Sequence, residues 1–342
     1  MEMSNFPERA LEAAEQLYLM APDSGHLNHM PGHIHMLVGD YLSAAKVSEV
    51  AITADNKYVV YAGADNFYTT ARCHDYHLAM YANMMLGRFE PALNAANDIC
   101  EALNPDLLAT DRPYMAMTME GYYSMAMHVR VRFGKWQQII DTPAPACPTL
   151  YCVSTAMHHY AKGVSFATLK QFDAAKEQVT LFEAAYARLP ADRFFFNNPA
   201  SSTLDVAREM LMGELAYHMA TKGLADFDVA FDHLRQAVIN CDALYYNEPW
   251  AWMHPPRHAL GALLLEQSHV AEAEAVYRAD LGLDNSVPRC MWHPDNVWAL
   301  HGLCECLNKL GKTDEAQIFN ERLVTAKAQA DVSIGSSCCC RS

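Results

Sequence analysis

No apolar run in the 342-residue chain approaches the ~20 residues a helix needs to cross a bilayer, and its start carries no signal-peptide pattern, so a cytoplasmic protein with no transmembrane segment is expected. Basic residues are scarce. Twenty-five Lys and Arg against forty Asp and Glu give a formal charge of −15, which repels phosphate backbones and argues against nucleic-acid binding. There is no Gly-rich phosphate loop, no His-Glu-x-x-His helix and no Gly-x-Ser-x-Gly elbow, so the common nucleotide, zinc-protease and serine-hydrolase chemistries lack their residues. No Cys-x-x-Cys pair occurs among the eleven cysteines. Most stand singly in apolar helical stretches (Cys100, Cys152, Cys241, Cys304, Cys306), where a small buried residue in a reducing compartment is the ordinary reading.

What the chain does have is a register of histidines. Gly39, Gly87, Gly134, Lys170, Gly223, Ser268 and Gly311 read as turns between paired helices, because the segments after them align: Asp-Tyr-Leu-Ser-Ala-Ala after Gly39, Arg-Phe-Glu-Pro-Ala-Leu after Gly87, Gln-Phe-Asp-Ala-Ala-Lys after Lys170. Ten residues before the turn stand His29, His77, His258 and His301; thirteen before stand His26 and His74; six before stand His33 and His128. Spacings of three and four put these on one helical stripe, the inner wall of a coil of helix pairs.

These features resemble a tetratricopeptide repeat, a 34-residue helix pair with small residues where the helices cross. Ala44 and Ala51, Ala92 and Ala175 fit the small positions of the first, second and fourth units. The turns at 39, 87 and 134 lie 48 and 47 residues apart, which implies insertions of roughly a dozen residues over the usual period. A narrower likeness is carried by Pro7 to Leu17 and by Ala-Pro-Asp-Ser-Gly-His-Leu-Asn-His-Met-Pro-Gly-His-Ile from Ala21, which resemble a largely uncharacterised family of long tetratricopeptide proteins with a His-x-x-His-Met-Pro-x-His-Ile helix. It continues through Cys73-His74-Asp75-Tyr76-His77, where that family commonly has Tyr-x-His-Asn-x-His, and through Asn247 to Trp250, Pro256-Arg257 and Val276 to Leu281. The resemblance implies a further histidine-bearing helix before Met1, so the chain is expected to be N-terminally shortened. Phe6 to Met20 then reads as the second helix of an incomplete repeat, with an apolar face open to self-association.

With Asp23 or Ser24 as cap, a helix to about Val38 places His26, His29 and His33 within about 60° of one another, and leaves His35 on the far side. His74 and His77 repeat the spacing, with Tyr81 where His33 stood. Neutral imidazole suits copper, iron and zinc alike, and histidines three or four apart on a helix can share an ion, so these five are the expected ligands of a transition metal, with Asp75 and Glu2 as nearby carboxylates. Pro31 should kink the helix or delay its start, since it removes one hydrogen bond and meets the carbonyl of Leu27.

A second cluster holds four of the five tryptophans. Glu248, Trp250, Trp252, His254, Arg257 and His258 fall within eleven residues, and Trp292, His293, Trp298 and His301 follow. With His128, the set mixes indole and imidazole as a wall for a small organic or peptide ligand would, and Arg257 is placed to hold a carboxylate. Arg278 and Asp280 are expected to pair and pack repeats together. His158 and His159 are adjacent, so their side chains diverge, and the methionines from Met115 to Met127 have core spacing.

The sequence therefore predicts an all-α, right-handed TPR-like α-solenoid of about seven helix pairs over 1–331, and a disordered Cys-rich tail over 332–342. Its expected function is a transition-metal site in a His-lined concave groove, a remnant of a metal-dependent enzyme being one form of it. The alternative is a metal-free scaffold that binds a peptide, protein or small molecule in that groove.

Overall fold

A computed structural model describes residues 1–109 and 113–341; the side chains of 113 and 114, and Ser342 at the end of the expected tail, lie outside the described residues. Among the described residues eighteen α-helices follow in order: α1 Leu11–Leu17, α2 Gly25–His29, α3 Pro31–Val38, α4 Tyr41–Ala62, α5 Thr69–Leu86, α6 Phe89–Ala102, α7 Pro105–Leu108, α8 Pro113–Met119 and α9 Met125–Arg132. Then come α10 Trp136–Asp141, α11 Cys152–Thr168, α12 Phe172–Tyr186, α13 Ala200–Ala220, α14 Phe227–Asp242, α15 Pro256–Glu266, α16 Val270–Leu281, α17 Val297–Lys309 and α18 Thr313–Lys327. Among the described residues the strand content is one short antiparallel pair, Phe194–Phe195 with Asn198–Pro199. The fold is all-α.

Each of the seven positions read as turns has left-handed backbone, with φ from 61° at Lys170 to 84° at Gly39. Their hydrogen bonds repeat one motif. The N–H of Gly39 donates to the Met36 carbonyl and that of Asp40 to His35, and the same three-back and five-back pair closes the helices at 87, 134, 170, 223, 268 and 311. Ala44, Ala51, Ala92 and Ala175, placed by the sequence where helices cross, are fully buried. Among the described residues no helix is long and apolar enough to cross a membrane.

The chain divides into two compact units, where the sequence predicts one uninterrupted coil. The first joins Met1–Ala102 to Gly261–Ser337. In it α2 and α3 pack on α4, α4 on α5, α5 on α6, α16 on α17 and α17 on α18. Its two stretches are tied by specific bonds: the Trp298 indole N–H donates to the Met84 carbonyl (2.7 Å) and Arg88 Nε to the Gln329 carbonyl (2.7 Å). Asp331 accepts from the N–H groups of Phe89 and Glu90 at 2.7 and 3.2 Å, and so caps α6 from far along the chain. The second unit holds Leu103–Leu260 and the residues from Cys338. There α11 packs on α12 and α13, and α13 on α14.

Apolar groups of the tail find cover. Ile334 is buried beside Gly87 and Ser337 shares a 2.6 Å hydrogen bond with the Tyr277 hydroxyl in the first unit, while Cys340 is buried and disulfide-bonded to Cys338 in the second. The N-terminal segment is also shorter as a helix than the Phe6 to Met20 expected. A 3-10 turn at Pro7–Ala10 leads into α1, which packs on α3, while Phe6, Leu19 and Met20 are exposed.

Candidate metal centre

The centre is built where α2 and α3 meet α5 in the first unit. Pro31 interrupts what would be one helix: α2 ends at His29, and α3 begins with the proline at its first position, where its missing N–H is harmless. Ser24 occupies the cap position of α2 without a side-chain bond, and Asp23 pairs with Lys57 instead. The fastening is done by Asn28. Its amide donates to the carbonyls of Ala21, Pro22 and Ser24 and its oxygen accepts from Leu19 N–H, so one buried side chain fixes the incoming turn. Gly25 lets α2 approach α4, since a Cβ there would stand 1.8 Å from Asp55 Oδ1.

This arrangement gathers four imidazoles. Ring centroids of His29 and His74 lie 4.4 Å apart, His29 and His33 4.7 Å, His33 and His74 5.3 Å, and His26 lies 5.6 Å from both His29 and His74. One ligand nitrogen from each of His26, His29 and His74 lies within 4.8 Å of the others. A tetrahedral ion with bonds of ~2.1 Å needs nitrogens about 3.4 Å apart, so side-chain rotations of about an ångström would bring three onto one ion. His77, the fifth expected ligand, is fully buried one turn along α5 and outside this triad, as is Tyr81. His35 faces away and lies 3.8 Å from Asp40, as the helical spacing requires.

Carboxylates stand behind the imidazoles. Asp75 Oδ1 is 3.3 Å from His29 Nδ1 and 3.6 Å from His26 Nδ1, and Glu2 Oε1 is 3.0 Å from His33 Nδ1. Carboxylates placed so hold the ring of a metal-bound histidine and raise its basicity. Asp75 is itself buried, and neither of its oxygens has a hydrogen bond of good geometry. Burial pushes its carboxyl up, as it does that of neighbouring Asp55, which the Asp75 charge helps raise to about 7 although Tyr68 donates to it at 2.7 Å. Burial first, then His74, His33, His26 and His77, hold the His29 imidazole well below its usual range, so it is neutral, and its Nε2 shares a 2.7 Å hydrogen bond with His33 Nε2 that a metal ion would replace. His26 opens the centre to solvent, with 46 % of its side chain exposed.

The second predicted cluster is split between the units. Trp298 and His301 belong to the first, where the Trp298 indole is committed to Met84; Trp250, His254, Arg257 and His258 belong to the second, with Glu248 half-buried before the cis peptide to Pro249. Arg257 holds no free carboxylate site, since both its terminal nitrogens bond Asp242 at 2.6 Å. Arg278 pairs with Glu274 and Glu315 rather than Asp280, which takes His293 and Asn296 because they lie across the next turn.

What does assemble in the second unit is a buried polar knot. His128 stacks edge-on with Trp252 (5.3 Å) and lies 5.9 Å from His254, Tyr160 meets Trp252 at 5.4 Å, and Arg132 Nη1 lies 3.0 Å from His258 Nδ1. Both nitrogens of His128, the Tyr160 hydroxyl, the Trp252 N–H, His254 Nε2 and Glu214 Oε2 are buried without hydrogen-bond partners. Burial lowers His128 to about 3 and raises Glu214 to about 8, so both are neutral near pH 7. The sequence marks His128, His254 and His258, and omits Arg132, Tyr160 and Glu214. These three come from separate helices, and only the position of an acid among the apolar residues of α13 hints at one of them.

Comparison with known proteins finds no matching family model and no matching curated protein.

Proposed function

We propose that this chain is a TPR-like helical-repeat protein whose first unit binds a transition metal ion, copper, iron or zinc, through His26, His29 and His74, with His33 as the adjacent imidazole. One observation carries the reading: three imidazoles turn Nδ1 toward Asp75 or Glu2 while four rings crowd together, each within 6 Å of a neighbour, beside the buried Asp55 and Asp75 carboxyls. A plain scaffold gains little from two carboxyls buried side by side, where burial raises both. A cation in front of the histidines would explain it. Three imidazoles leave coordination positions open on the exposed His26 side, the arrangement a metal needs to meet water or a small substrate.

The test is elemental analysis of untagged protein after exposure to zinc, copper(II) and iron(II) in turn, followed by gel filtration. Near-stoichiometric metal that falls at least tenfold in a folded His29→Ala, His74→Ala double variant is expected. Metal-free wild-type protein with its helical circular dichroism intact would overturn the reading and leave the metal-free binding scaffold.

A further inference from the structure

Away from the histidines, the first unit has a half-open cavity of about 340 Å³ between the starts of α4 and α17, the end of α5 and one face of α18. That volume is at the small end of the roughly 300–1,000 Å³ typical of small-molecule sites. Its floor is apolar, with Met85, Leu86 and Val297 almost fully buried. Its polar residues are the Arg322–Asp295 charge pair, Tyr41, Thr325 and Gln329. Arg322 donates through Nε and Nη2 to a single oxygen of Asp295, Oδ1, at 2.7 and 2.6 Å. A side-on pair of this kind leaves Oδ2 to accept and Nη1 to donate elsewhere. Tyr41 is 2 % exposed, and its hydroxyl has no hydrogen-bond partner.

The backbone around this cavity is specialised. Gly39 combines φ of +84° with a Pro294 carbonyl that a Cβ would meet at 2.6 Å, so glycine alone allows the end of α3 to close on the 294–297 segment. Asp295 is left-handed too (φ 56°), which aspartate tolerates better than most residues and which lifts its carboxylate to the rim.

We infer that this cavity binds a free α-amino acid with an apolar side chain: its ammonium on Asp295, its carboxylate on Arg322, its side chain over Met85, Leu86 and Val297. A free amino acid carries both charges on neighbouring carbons, matching a cation and an anion held side by side. A peptide terminus brings only one of them. The site is separate from the proposed metal centre.

Titration calorimetry with L-leucine on the whole chain tests this. Saturable binding is expected, at least tenfold tighter than that of 3-methylbutylamine or 4-methylpentanoate, which each lack one charge. Arg322→Gln should weaken it at least tenfold. Asp295→Asn should weaken it at least tenfold as well. Absence of saturable leucine binding would overturn the inference. Equal binding of the amine or the acid, or unchanged affinity in both folded variants, would do the same. Loss of leucine binding in the His29→Ala, His74→Ala variant would put the ligand at the histidines and also refute it.

Discussion

Glu214→Gln should stabilise the second unit at pH 8.5 and change it little at pH 4. The carboxyl is 2 % exposed on α13, Oε2 has no partner, and burial raises it from 4.5 to about 8 against the opposing pull of Arg132. Below the unfolded value both states carry the proton, and pH has no effect through this group. As pH rises from 4.5 toward 8 the unfolded chain releases the proton while the folded one retains it, so stability falls; above about 8 the whole loss is in place. At ~1.36 kcal/mol per pH unit, a gap of about 3.5 units is worth on the order of 5 kcal/mol. Glutamine keeps the shape and never ionises. Urea midpoints followed by circular dichroism from pH 4 to 8.5 should show the variant's advantage growing with pH, other titrating groups cancelling between the two proteins. Parallel pH profiles would refute the reasoning, and would mean that Arg132 holds Glu214 charged in the native protein.

Asp331→Ala should lower stability by about 1 kcal/mol, the ordinary worth of a helix cap, with the loss read from the urea midpoint; no change would show that water replaces the two bonds to α6. Asn28→Ala leaves the Leu19 N–H and the Pro22 carbonyl without the partner that ties the turn before α2 and should destabilise by about 2 kcal/mol, with metal content falling alongside; an unchanged metal content would show that the turn does not position the histidines. At pH 6.5, where an ordinary imidazole is half protonated, His29 should be neutral by imidazole NMR in the metal-free protein. A normal titration there would show that the ring is hydrated.

The turns were the most legible part of the fold. A left-handed residue ending a helix must be glycine or a tolerated substitute, so Gly39, Gly87 and their counterparts announce themselves, and even Lys170 is betrayed by the aligned segment after it. The stripe of His26, His29, His33 and His74 was legible for a similar reason, since helical period alone decides which side chains share a face. The division into two units was not. It rests on pairings such as Trp298 with Met84 and Arg88 with Gln329, and no local pattern encodes a partner more than two hundred residues away. Of the wall read from Trp250 to His301, Trp250, His254, Arg257 and His258 belong to the second unit and Trp298 and His301 to the first.

The composition of the first unit from two distant stretches also orders events in time. Arg88 and Gln329 are separated by 241 residues, which at ~5–20 residues per second is a delay of roughly ten to fifty seconds on the ribosome. During that interval the histidine-bearing helices exist without the surface that completes their unit, whereas residues 103–260 are contiguous and can collapse as they emerge. The nascent chain therefore presents its imidazoles before their scaffold is finished. If the histidines bind a metal ion as proposed, an ion captured early would meet a loose, promiscuous cluster, and selective loading would wait until the last helices had been released.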